Sequence, residues 1–468
     1  MDDFRNLRIE QDRPGVMTVV VDMPGRPLNV ADESLLRDMA ALVERLDRDP
    51  SLGLVVFRSG KDSGFLAGAD LTQLQQIGTP EEAETALRSG QELYARIAEL
   101  PMLTAAVIHG PCLGGGLEFA LCCTFRVARD DPATRIGLPE TQLGVIPGWG
   151  GTQRLPRLIG LEPALRMILE GRRLTPSRAK RLGLVDMIAP PDQFENALRT
   201  FLTDRLAGKP VHRPRRPLAA RLRDDTRPGR WLVLQMARKR LGRRGRHYPA
   251  LAAVLRAVET GFKLGLAAGL KAERDEFCRL LFTPTCRHLL ELFFQRERAR
   301  KPATWSGETR VAPQPVKTVA VIGAGTMGAG IAQLLAYEGL NVILKDIRQE
   351  LVDGGLGRIA SLMRDAVESG SLNAEEADRR WKAVTGTTEW DAVSHAELAI
   401  EAVVERLDVK QDVFRELDRR LPAAAAIVSH PSALPSRERA AATARPSQVA
   451  GLHFFNPVHR MSLVEVVR

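Results

Sequence analysis

The chain has 468 residues, of which 44% are hydrophobic and 26% are charged, and its formal net charge is +10. This composition is ordinary for a globular protein, and at about 150 residues per domain it predicts roughly three folding units. No apolar run approaches the ~20 residues that a membrane-spanning helix needs, which argues against an integral membrane protein.

The N-terminal sequence and the cysteines indicate the compartment. The segment Met1-Asp2-Asp3-Phe4-Arg5 has no basic region followed by an apolar one, so no secretory signal is predicted, and it is too acidic for a typical mitochondrial transit peptide. The five cysteines form no CxxC pair, which argues against a zinc ribbon or a disulfide framework. We therefore expect a cytoplasmic protein without a metal site.

Strands and helices alternate in the first part of the chain. The predicted elements are, in order, a hairpin of strands 7–11 and 16–22, a helix over 34–47, a strand over 54–57, a helix over about 81–99 and a strand over 104–108. This alternation implies a mostly parallel sheet with helical crossovers.

From about 191 to 310 the pattern becomes helical and includes a strongly basic block. Between Lys209 and His247 there are fourteen Lys and Arg residues against two acids, a net charge of +12. Such a block is able to bind nucleic acid or an anionic membrane. No nucleic-acid reader motif or aromatic stacking platform accompanies it, so we favour a solvated segment that also meets substrate phosphates. Peripheral membrane contact stays the alternative, and salt-sensitive binding to anionic vesicles would test it.

A linker signal at residues 313–315 precedes a second strand–helix–strand region. The strand over 317–322 ends at Gly323-Ala324-Gly325-Thr326-Met327-Gly328, a helix follows, and the strand over 341–346 ends in Asp346. This is the context that a dinucleotide-binding glycine pattern requires: Gly323 makes the turn, Gly325 lets a pyrophosphate approach, and Gly328 allows close helix–strand packing. Asp346 would accept the ribose hydroxyls, which favours NAD over NADP.

Three segments of the first part point to another chemistry. They are Phe65-Leu66-Ala67-Gly68-Ala69-Asp70-Leu71, His109-Gly110-Pro111-Cys112-Leu113-Gly114-Gly115-Gly116-Leu117-Glu118, and Gly137-Leu138-Pro139-Glu140 with 144–152. Glycines between a buried strand and a helix leave backbone N–H groups open to stabilise an oxyanion. Adding water to a conjugated thioester needs a base for the water and an acid for the α-carbon, which two carboxylates with separated pKa values provide.

These motifs, with Pro147-Gly148-Trp149-Gly150-Gly151-Thr152 and the residues after it, resemble the enoyl-CoA hydratase (crotonase) superfamily over about residues 5–190. The resemblance implies an oxyanion hole from the N–H groups of Ala69 and Gly115. It also implies that Glu118 and Glu140 hold the water and that Gly148 helps to position it.

The same resemblance places coenzyme A along the 66–71 loop, with contributions from Ala67, Gly68 and Asp70. Trp149 stands where small residues or phenylalanine often occur in the family, so it either narrows the acyl pocket or simply packs. Relatives with one acid run isomerisation, decarboxylation or thioester hydrolysis. Because this chain keeps both acids, hydration of 2-enoyl-CoA is favoured. The alternatives are a Δ3,Δ2-enoyl-CoA isomerase and a non-catalytic NAD-binding scaffold subunit.

A histidine and a glutamate stand near the end of the sequence. Glu465 lies on an alternating strand twelve positions after His453, and a carboxylate can orient an imidazole and raise its basicity. Such a histidine is suited to remove the proton of a 3-hydroxyl while hydride leaves for a nicotinamide.

Residues 315–468 resemble the NAD-binding domain of 3-hydroxyacyl-CoA dehydrogenases. By that resemblance His453 is the base, Glu465 its partner, and Ser432 the hydroxyl that contacts the substrate oxygen. Glu405 and Lys410 match a nucleotide-facing pair, and Asn456 lies near the nicotinamide. In contrast with the family pattern, Pro431 removes a backbone donor near the substrate.

A hydratase followed by a dehydrogenase resembles the multifunctional enzymes of fatty-acid β-oxidation, where the first product is the second substrate. This implies an α/β protein with a crotonase-like ββα superhelix over 1–190, a helical connector over 191–312 and a Rossmann-like doubly wound parallel sheet over 313–468. NAD, acyl-CoA and a thiolase β-subunit are the implied cofactor, substrate and partner. The chain stops three residues after Glu465, before the family's further helical domains, so dehydrogenation is expected to be weak unless another chain supplies them.

Overall fold

The computed structural model describes residues 4–214, 216–301, 315–368, 371–430, 436–461 and 463–467. The chain divides into two compact units, Met1–Glu308 and Thr309–Arg468. Within the described ranges, no helix has both the length and the apolar character needed to span a membrane.

The first unit is built on a mostly parallel sheet. Its strands are β1 Leu7–Arg13, β2 Val16–Val21, β3 Leu54–Ser59, β4 Leu103–Ile108, β5 Pro111–Leu113, β6 Phe125–Arg129, β7 Arg135–Gly137, β8 Arg173–Leu174 and β9 Met187–Ala189. The large sheet has the order β1-β2-β3-β4-β6-β9, with β1 and β2 antiparallel and all other neighbours parallel. The predicted hairpin and parallel sheet are therefore confirmed.

A second, smaller sheet carries the glycine-rich segments. It has the order β5-β7-β8, and β5 pairs with β7 in parallel. A bridge between Leu66 and Cys112 ties the 65–71 loop to this sheet. The small sheet thus brings the three predicted motif segments side by side.

The helices of the first unit cover both the sheet and the motif loops. They are α1 Glu33–Asp47, α2 Leu71–Gln76, α3 Pro80–Glu99, α4 Gly115–Cys122, α5 Gly151–Ile159, α6 Leu161–Glu170, α7 Pro176–Arg181, α8 Phe194–Leu206, α9 Leu218–Asp225, α10 Arg227–Leu241, α11 Arg244–His247, α12 Pro249–Leu264, α13 Leu266–Leu281 and α14 Pro284–Ala299. A 3-10 helix covers Glu140–Leu143. The long helix α3 begins with a capping box, in which Thr79 and Glu82 satisfy each other's backbone N–H groups.

The helices after residue 190 share the core of the strands before it. Val254 of α12, Leu280 of α13 and Leu290 of α14 are buried in the same apolar cluster as Phe57 and Phe119. The compact unit accordingly extends to Glu308, and the segment expected to be a connector is part of the first unit's packing.

Part of the basic block is neutralised within this unit. Arg213 pairs with Asp186 at 2.6 Å, Arg216 with Asp224 at 2.8 Å, and Arg223 with Glu162 at 3.0 Å. Asp186 and Asp224 are buried, so Arg216 pairs with an acid of the interior, and Arg213 adds a second partner to Asp186, which Arg126 also binds at 3.3 Å.

The second unit is a doubly wound sheet. Its strands are β10 Thr318–Ile322, β11 Asn341–Lys345, β12 Val384–Thr387, β13 Leu398–Glu401, β14 Ala426–Ser429, β15 Val449–Phe454 and β16 Val464–Val467, in the order β12-β11-β10-β13-β14-β15-β16. Its helices are α15 Thr326–Tyr337, α16 Gln349–Glu368, α17 Ala374–Lys382, α18 Leu407–Arg420 and α19 Ser436–Ala440, with 3-10 helices at Asp391–His395 and Pro446–Gln448.

All neighbouring strands of this sheet are parallel except β15 and β16. Alternate residues of β10 enter different cores, since Val319 and Val321 lie in one cluster and Ala320 and Ile322 in another. Helices therefore cover both faces, as predicted. The strand order reverses between β10 and β13, and in such sheets ligands bind in the crevice at the carboxyl ends of these strands.

Candidate active site

Two backbone amides predicted to form an oxyanion hole come from neighbouring loops. Ala69 follows Gly68, whose φ is +107°, and Gly115 opens α4 directly after Gly114, whose φ is +52°. A Cβ atom on Gly115 would lie 3.6 Å from the Ala69 nitrogen. In the described part of the chain, neither amide donates to another backbone or side-chain group. Both donors are therefore close together and available to a single oxygen.

The Trp149 indole borders the same space. A Cβ on Gly115 would lie 2.5 Å from Trp149 Cζ3, so any larger residue at position 115 would collide with the indole. The indole packs edge-on against Tyr94 with ring centroids 5.3 Å apart, and Tyr94 Oη donates to the Gly115 carbonyl at 3.0 Å. Trp149 Nε1 is buried and has no hydrogen-bond partner among the described residues. Trp149 therefore both packs and narrows the space beside Gly115.

Glu118 is held at the N-terminus of α5. Only 2% of the residue is exposed, and its Oε1 accepts the N–H groups of Trp149 at 2.8 Å and Gly151 at 2.7 Å. Burial raises the pKa of Glu118 to about 7, although the bonds from Gly151 and Trp149 act in the opposite direction. The carboxylate is thus fixed in place and titrates near neutrality.

Glu140 stands at the start of the 3-10 helix and has few partners. Its Oε1 would lie 2.9 Å from a Cβ on Gly114, next to the amide of Gly115, and its Oε2 is buried with no partner in the described structure. Burial, followed by the charge of Glu118, raises the pKa of Glu140 well above its ordinary value. The structure therefore brings both predicted acids to the oxyanion loops.

A third buried acid, Glu273 of α13, was not predicted. It has no exposed surface, and it accepts the N–H of Gly150 at 2.6 Å and the N–H of Thr152 at 2.9 Å. Burial, and then the charge of Glu118, raises the pKa of Glu273 to about 8. The available sequence signal was an acid on a buried helical face, because Gly269, Glu273 and Phe277 are spaced by four residues.

The remaining residues of the 66–71 loop are engaged in the fold. The Ala67 N–H donates to the Asn29 carbonyl at 2.9 Å. Asp70 caps α2 through the Thr72 N–H at 2.9 Å and pairs with Arg26 at 2.7 Å. Burial raises the pKa of Asp70, but the bonds from Arg26 and Thr72 outweigh this, and the pKa lies below its ordinary value. The side chain of Asp70 therefore stabilises the loop.

Gly148 allows α13 to approach the pocket. A Cβ at this position would lie 2.6 Å from Leu87 Cδ2 and 3.1 Å from the Phe277 ring. Its carbonyl accepts a hydrogen bond from Gln91 Nε2 at 3.0 Å. A side chain at position 148 would therefore force Leu87 and Phe277 to shift beside the turn that holds Glu118.

In the second unit, the glycine pattern lies at the strand-order reversal. Gly323 has a φ of +107°, and a Cβ there would lie 2.6 Å from the carbonyl oxygen of Ala402, which follows β13. A Cβ on Gly328 would collide with the Gly323 carbonyl, whereas a Cβ on Gly325 would meet nothing within 4 Å. Thr326 and Met327 form the first turn of α15. Each glycine has the geometry that the prediction required, and the open side at Gly325 fits a pyrophosphate.

Asp346 lies at the carboxyl end of β11, close to the glycine loop. Its Oδ2 accepts the Ala324 N–H at 2.7 Å, and its Oδ1 accepts the Ile347 N–H at 2.7 Å. An acid at this position can also accept ribose hydroxyls, so the loop, the start of α15 and Asp346 together fit NAD.

The predicted nucleotide-facing pair is tied to a buried acid. Lys410 has no exposed surface, and its Nζ contacts Glu401 Oε1 at 2.9 Å and Glu405 Oε2 at 3.1 Å. Ser429 Oγ also donates to Glu401, at 2.6 Å. Lys410 is fully enclosed, whereas the Glu405 side chain is 35% exposed, so only Glu405 of this pair has surface that a ligand can reach.

His453 and Glu465 are adjacent across β15 and β16. They occupy paired positions in the two strands, and His453 Nδ1 lies 2.7 Å from Glu465 Oε2. His430, which follows β14, lies beside them with its ring centroid 5.5 Å from that of His453. Asn456 follows β15 and is exposed. The predicted Ser432, like Pro431, lies outside the described residues.

Comparison with known proteins gives two family matches. Residues 13–221 match the enoyl-CoA hydratase/isomerase family, and residues 318–468 match the NAD-binding domain of 3-hydroxyacyl-CoA dehydrogenase. The first matched range contains Glu118 and Glu140, and the second contains the glycine pattern and the His453–Glu465 pair.

Solved structures similar to parts of the chain include two dehydrogenases. The 3-hydroxybutyryl-CoA dehydrogenase from Escherichia coli K12 is 41% identical over 33% of this chain and 32% of its own, with a TM-score of 0.32. The (S)-3-hydroxybutyryl-CoA dehydrogenase from Ralstonia eutropha is 34% identical over 32% of this chain and 54% of its own, also with a TM-score of 0.32. The chain thus spans about a third to a half of these relatives.

A third similar solved structure is an enoyl-CoA hydratase. The enoyl-CoA hydratase from Bacillus anthracis is 26% identical over 62% of this chain and 96% of its own, with a TM-score of 0.41. The N-terminal part of the chain thus matches the enoyl-CoA hydratase/isomerase family, and the C-terminal part matches the NAD-binding domain of 3-hydroxyacyl-CoA dehydrogenase.

Proposed function

We propose that the first unit hydrates 2-enoyl-CoA to 3-hydroxyacyl-CoA. The observation that carries this proposal is the placement of two buried carboxyls beside two unengaged backbone amides. The N–H groups of Ala69 and Gly115 would stabilise the oxyanion that forms on the thioester carbonyl as water adds.

The surroundings of the two acids assign their roles. Glu118 accepts two N–H groups, which favour its charged form, so it is the base that takes a proton from water. Glu140 has an unpartnered oxygen and a pKa raised by burial and by Glu118, so it keeps the proton that the α-carbon receives.

Replacing Glu140 tests the proposal. Glu140→Gln cannot deliver a proton, and we expect the hydration of crotonyl-CoA to fall by about 10²- to 10⁴-fold, the usual contribution of a general acid. Glu99→Gln, an exposed acid at the end of α3, is the matched control and should retain full activity. Turnover by Glu140→Gln within tenfold of the unchanged protein would exclude Glu140 as the acid.

We also propose that the second unit oxidises the 3-hydroxyacyl-CoA product with NAD. Bound NAD would supply the hydride acceptor. The glycine loop and the start of α15 would hold its pyrophosphate, and Asp346 its ribose. His453, oriented by Glu465, would accept the hydroxyl proton at Nε2, since Nδ1 is engaged by the carboxylate.

The histidine variant separates binding from chemistry. His453→Gln should leave NADH binding unchanged, because the glycine loop is intact, while oxidation of 3-hydroxybutyryl-CoA falls by at least about 10²-fold. His395→Gln, an exposed histidine of the same unit, serves as the control. An equal loss of 3-hydroxybutyryl-CoA oxidation in both variants would contradict the role of His453 as the base. Any oxidation by the unchanged protein would be measured first, to set the baseline.

The cellular setting follows from these reactions. Consecutive hydration and oxidation would leave a 3-ketoacyl-CoA, whose cleavage a thiolase subunit associated with this chain would perform. All five cysteines are free thiols, which supports a reducing, cytoplasmic location. Co-purification of a thiolase with the tagged chain tests the partner.

A further inference from the structure

Glu273 is a buried acid that the two-carboxyl reaction does not use. The four consecutive amides of residues 149–152 alternate between two carboxylates: the first and third donate to Glu118, and the second and fourth donate to Glu273. Both acids therefore hold one turn, which is the N-terminus of α5.

Further contacts fix Glu273 relative to that turn. Thr152 Oγ1 donates to its Oε2 at 2.5 Å, and Gln153 Nε2 donates to the Thr152 hydroxyl at 2.9 Å. Gln91 Nε2 approaches its Oε1 at 3.4 Å and also binds the Gly148 carbonyl at 3.0 Å. The N–H groups of Gly150 and Thr152, the Thr152 hydroxyl and Gln91 Nε2 all donate toward Glu273. These bonds favour the charged form of Glu273, although burial and the charge of Glu118 outweigh them and raise its pKa.

A second acid at this turn is unfavourable for folding alone. One side-chain oxygen at the start of a helix is enough for a cap, and a neutral residue can provide it. A fully buried carboxylate near Glu118 adds desolvation and repulsion, which is reflected in its raised pKa. Buried acids that lower the stability of the fold through desolvation and repulsion occur preferentially at functional sites.

We infer that Glu273 is a positioning residue of the hydratase site, which fixes the turn 149–152 and through it the oxygen of Glu118 that receives the proton from water. This inference rests on the proposed hydration reaction. It assigns to α13, which lies beyond the residues matched by the hydratase family, a part in the same pocket.

The test is the steady-state hydration of crotonyl-CoA by the full chain carrying Glu273→Gln. The amide keeps the size of the side chain but turns an NH₂ group toward amide and hydroxyl donors, which releases the turn. We expect kcat to fall by about ten- to a hundredfold, as misplacements of about 1 Å do, with KM within twofold. Asp275→Asn, an exposed acid on the same helix, should behave as the unchanged protein.

Thr152→Val provides a second variant with a smaller change. It removes the hydroxyl donor and leaves both backbone bonds to Glu273, so kcat should fall less, again at constant KM. If Glu273→Gln does not fold, Thr152→Val tests the inference by the same criterion, a fall in kcat at constant KM. Unchanged kcat, or a rise in KM that accounts for the loss, overturns the inference. Absence of hydration in the unchanged protein would instead contradict the proposed function.

Discussion

Glu118 and Glu140, the base and the acid of the proposed hydration, differ in what their oxygens contact. Two N–H groups bind Glu118 Oε1, whereas Glu140 Oε2 has no partner in the described structure. Hydrogen bonds to the charged form lower a carboxyl pKa, and burial near another acid raises it. The difference separates the two pKa values in the order that an acid–base pair needs.

A pH profile follows from these values. Because burial raises the pKa of Glu118 to about 7, its carboxylate form is lost below that pH, and kcat/KM for hydration should fall about tenfold per pH unit there. At higher pH the rate should fall again when Glu140 loses its proton. A profile that is flat between pH 5 and 7, roughly the range in which Glu118 protonates, would contradict the assignment of Glu118 as the base.

The two acids and the glycine-rich loops that carry Ala69 and Gly115 were predicted from motifs. This was possible because each motif is a contiguous stretch of sequence and the motifs occur in the order typical of the family. Glu273 was not predicted, because its partners are amides more than a hundred residues away. Only the folded structure shows that an acid within a predicted helical segment meets the turn after residue 148.

At the scale of elements, the long strands and helices were predicted closely. The hairpin of β1 and β2, the buried strands β3 and β4, and the unit formed by β10, α15 and β11 agree with the apolar patterns. The small sheet was not predicted. Its strands β5, β7 and β8 have three, three and two residues, which is too short for a periodic signal.

A buried ion pair connects helix α18 to strand β13 in the second unit. Lys410 of α18 binds Glu401 at the end of β13, and both side chains are fully buried. Removing one partner of such a pair leaves an unpaired charge in the interior and typically costs about 3–5 kcal/mol. We expect Lys410→Met to destabilise the second unit by about this amount, measured by native-state hydrogen exchange in its strands.

An exposed pair in the same unit provides the control. Lys382 binds Asp378 one turn away on α17, with the lysine side chain 71% exposed. Lys382→Met should change the unfolding free energy by less than about 1 kcal/mol. Equal effects of the two substitutions would show that burial does not govern the Lys410 pair.

At the scale of the whole molecule, each proposed reaction is confined to one compact unit. Every residue proposed for hydration lies within Met1–Glu308, and every described residue proposed for oxidation lies within Thr309–Arg468. We therefore expect the fragment 1–308 to hydrate crotonyl-CoA at a kcat within twofold of the full chain. A fragment that folds, by circular dichroism, but has lost the activity would mean that the second unit contributes to the pocket.

A shorter fragment should behave differently. The hydratase family match ends at residue 221, and a chain cut there keeps Glu118, Glu140 and the glycine loops but lacks α12 to α14. Those helices bury much of the first unit's core and supply Glu273. We expect no hydration from such a fragment.

The shared turn at the start of α5 also affects the order of assembly during synthesis. During synthesis the two acids and the glycine loops leave the ribosome early. Helix α13, whose Glu273 binds the turn 149–152, emerges more than a hundred residues later. Until then the loops lack their final support, so a nascent chain carrying most of the motif residues would still be inactive. The proposed hydratase activity would thus appear in one late step, when α13 packs against the turn and fixes the position of Glu118.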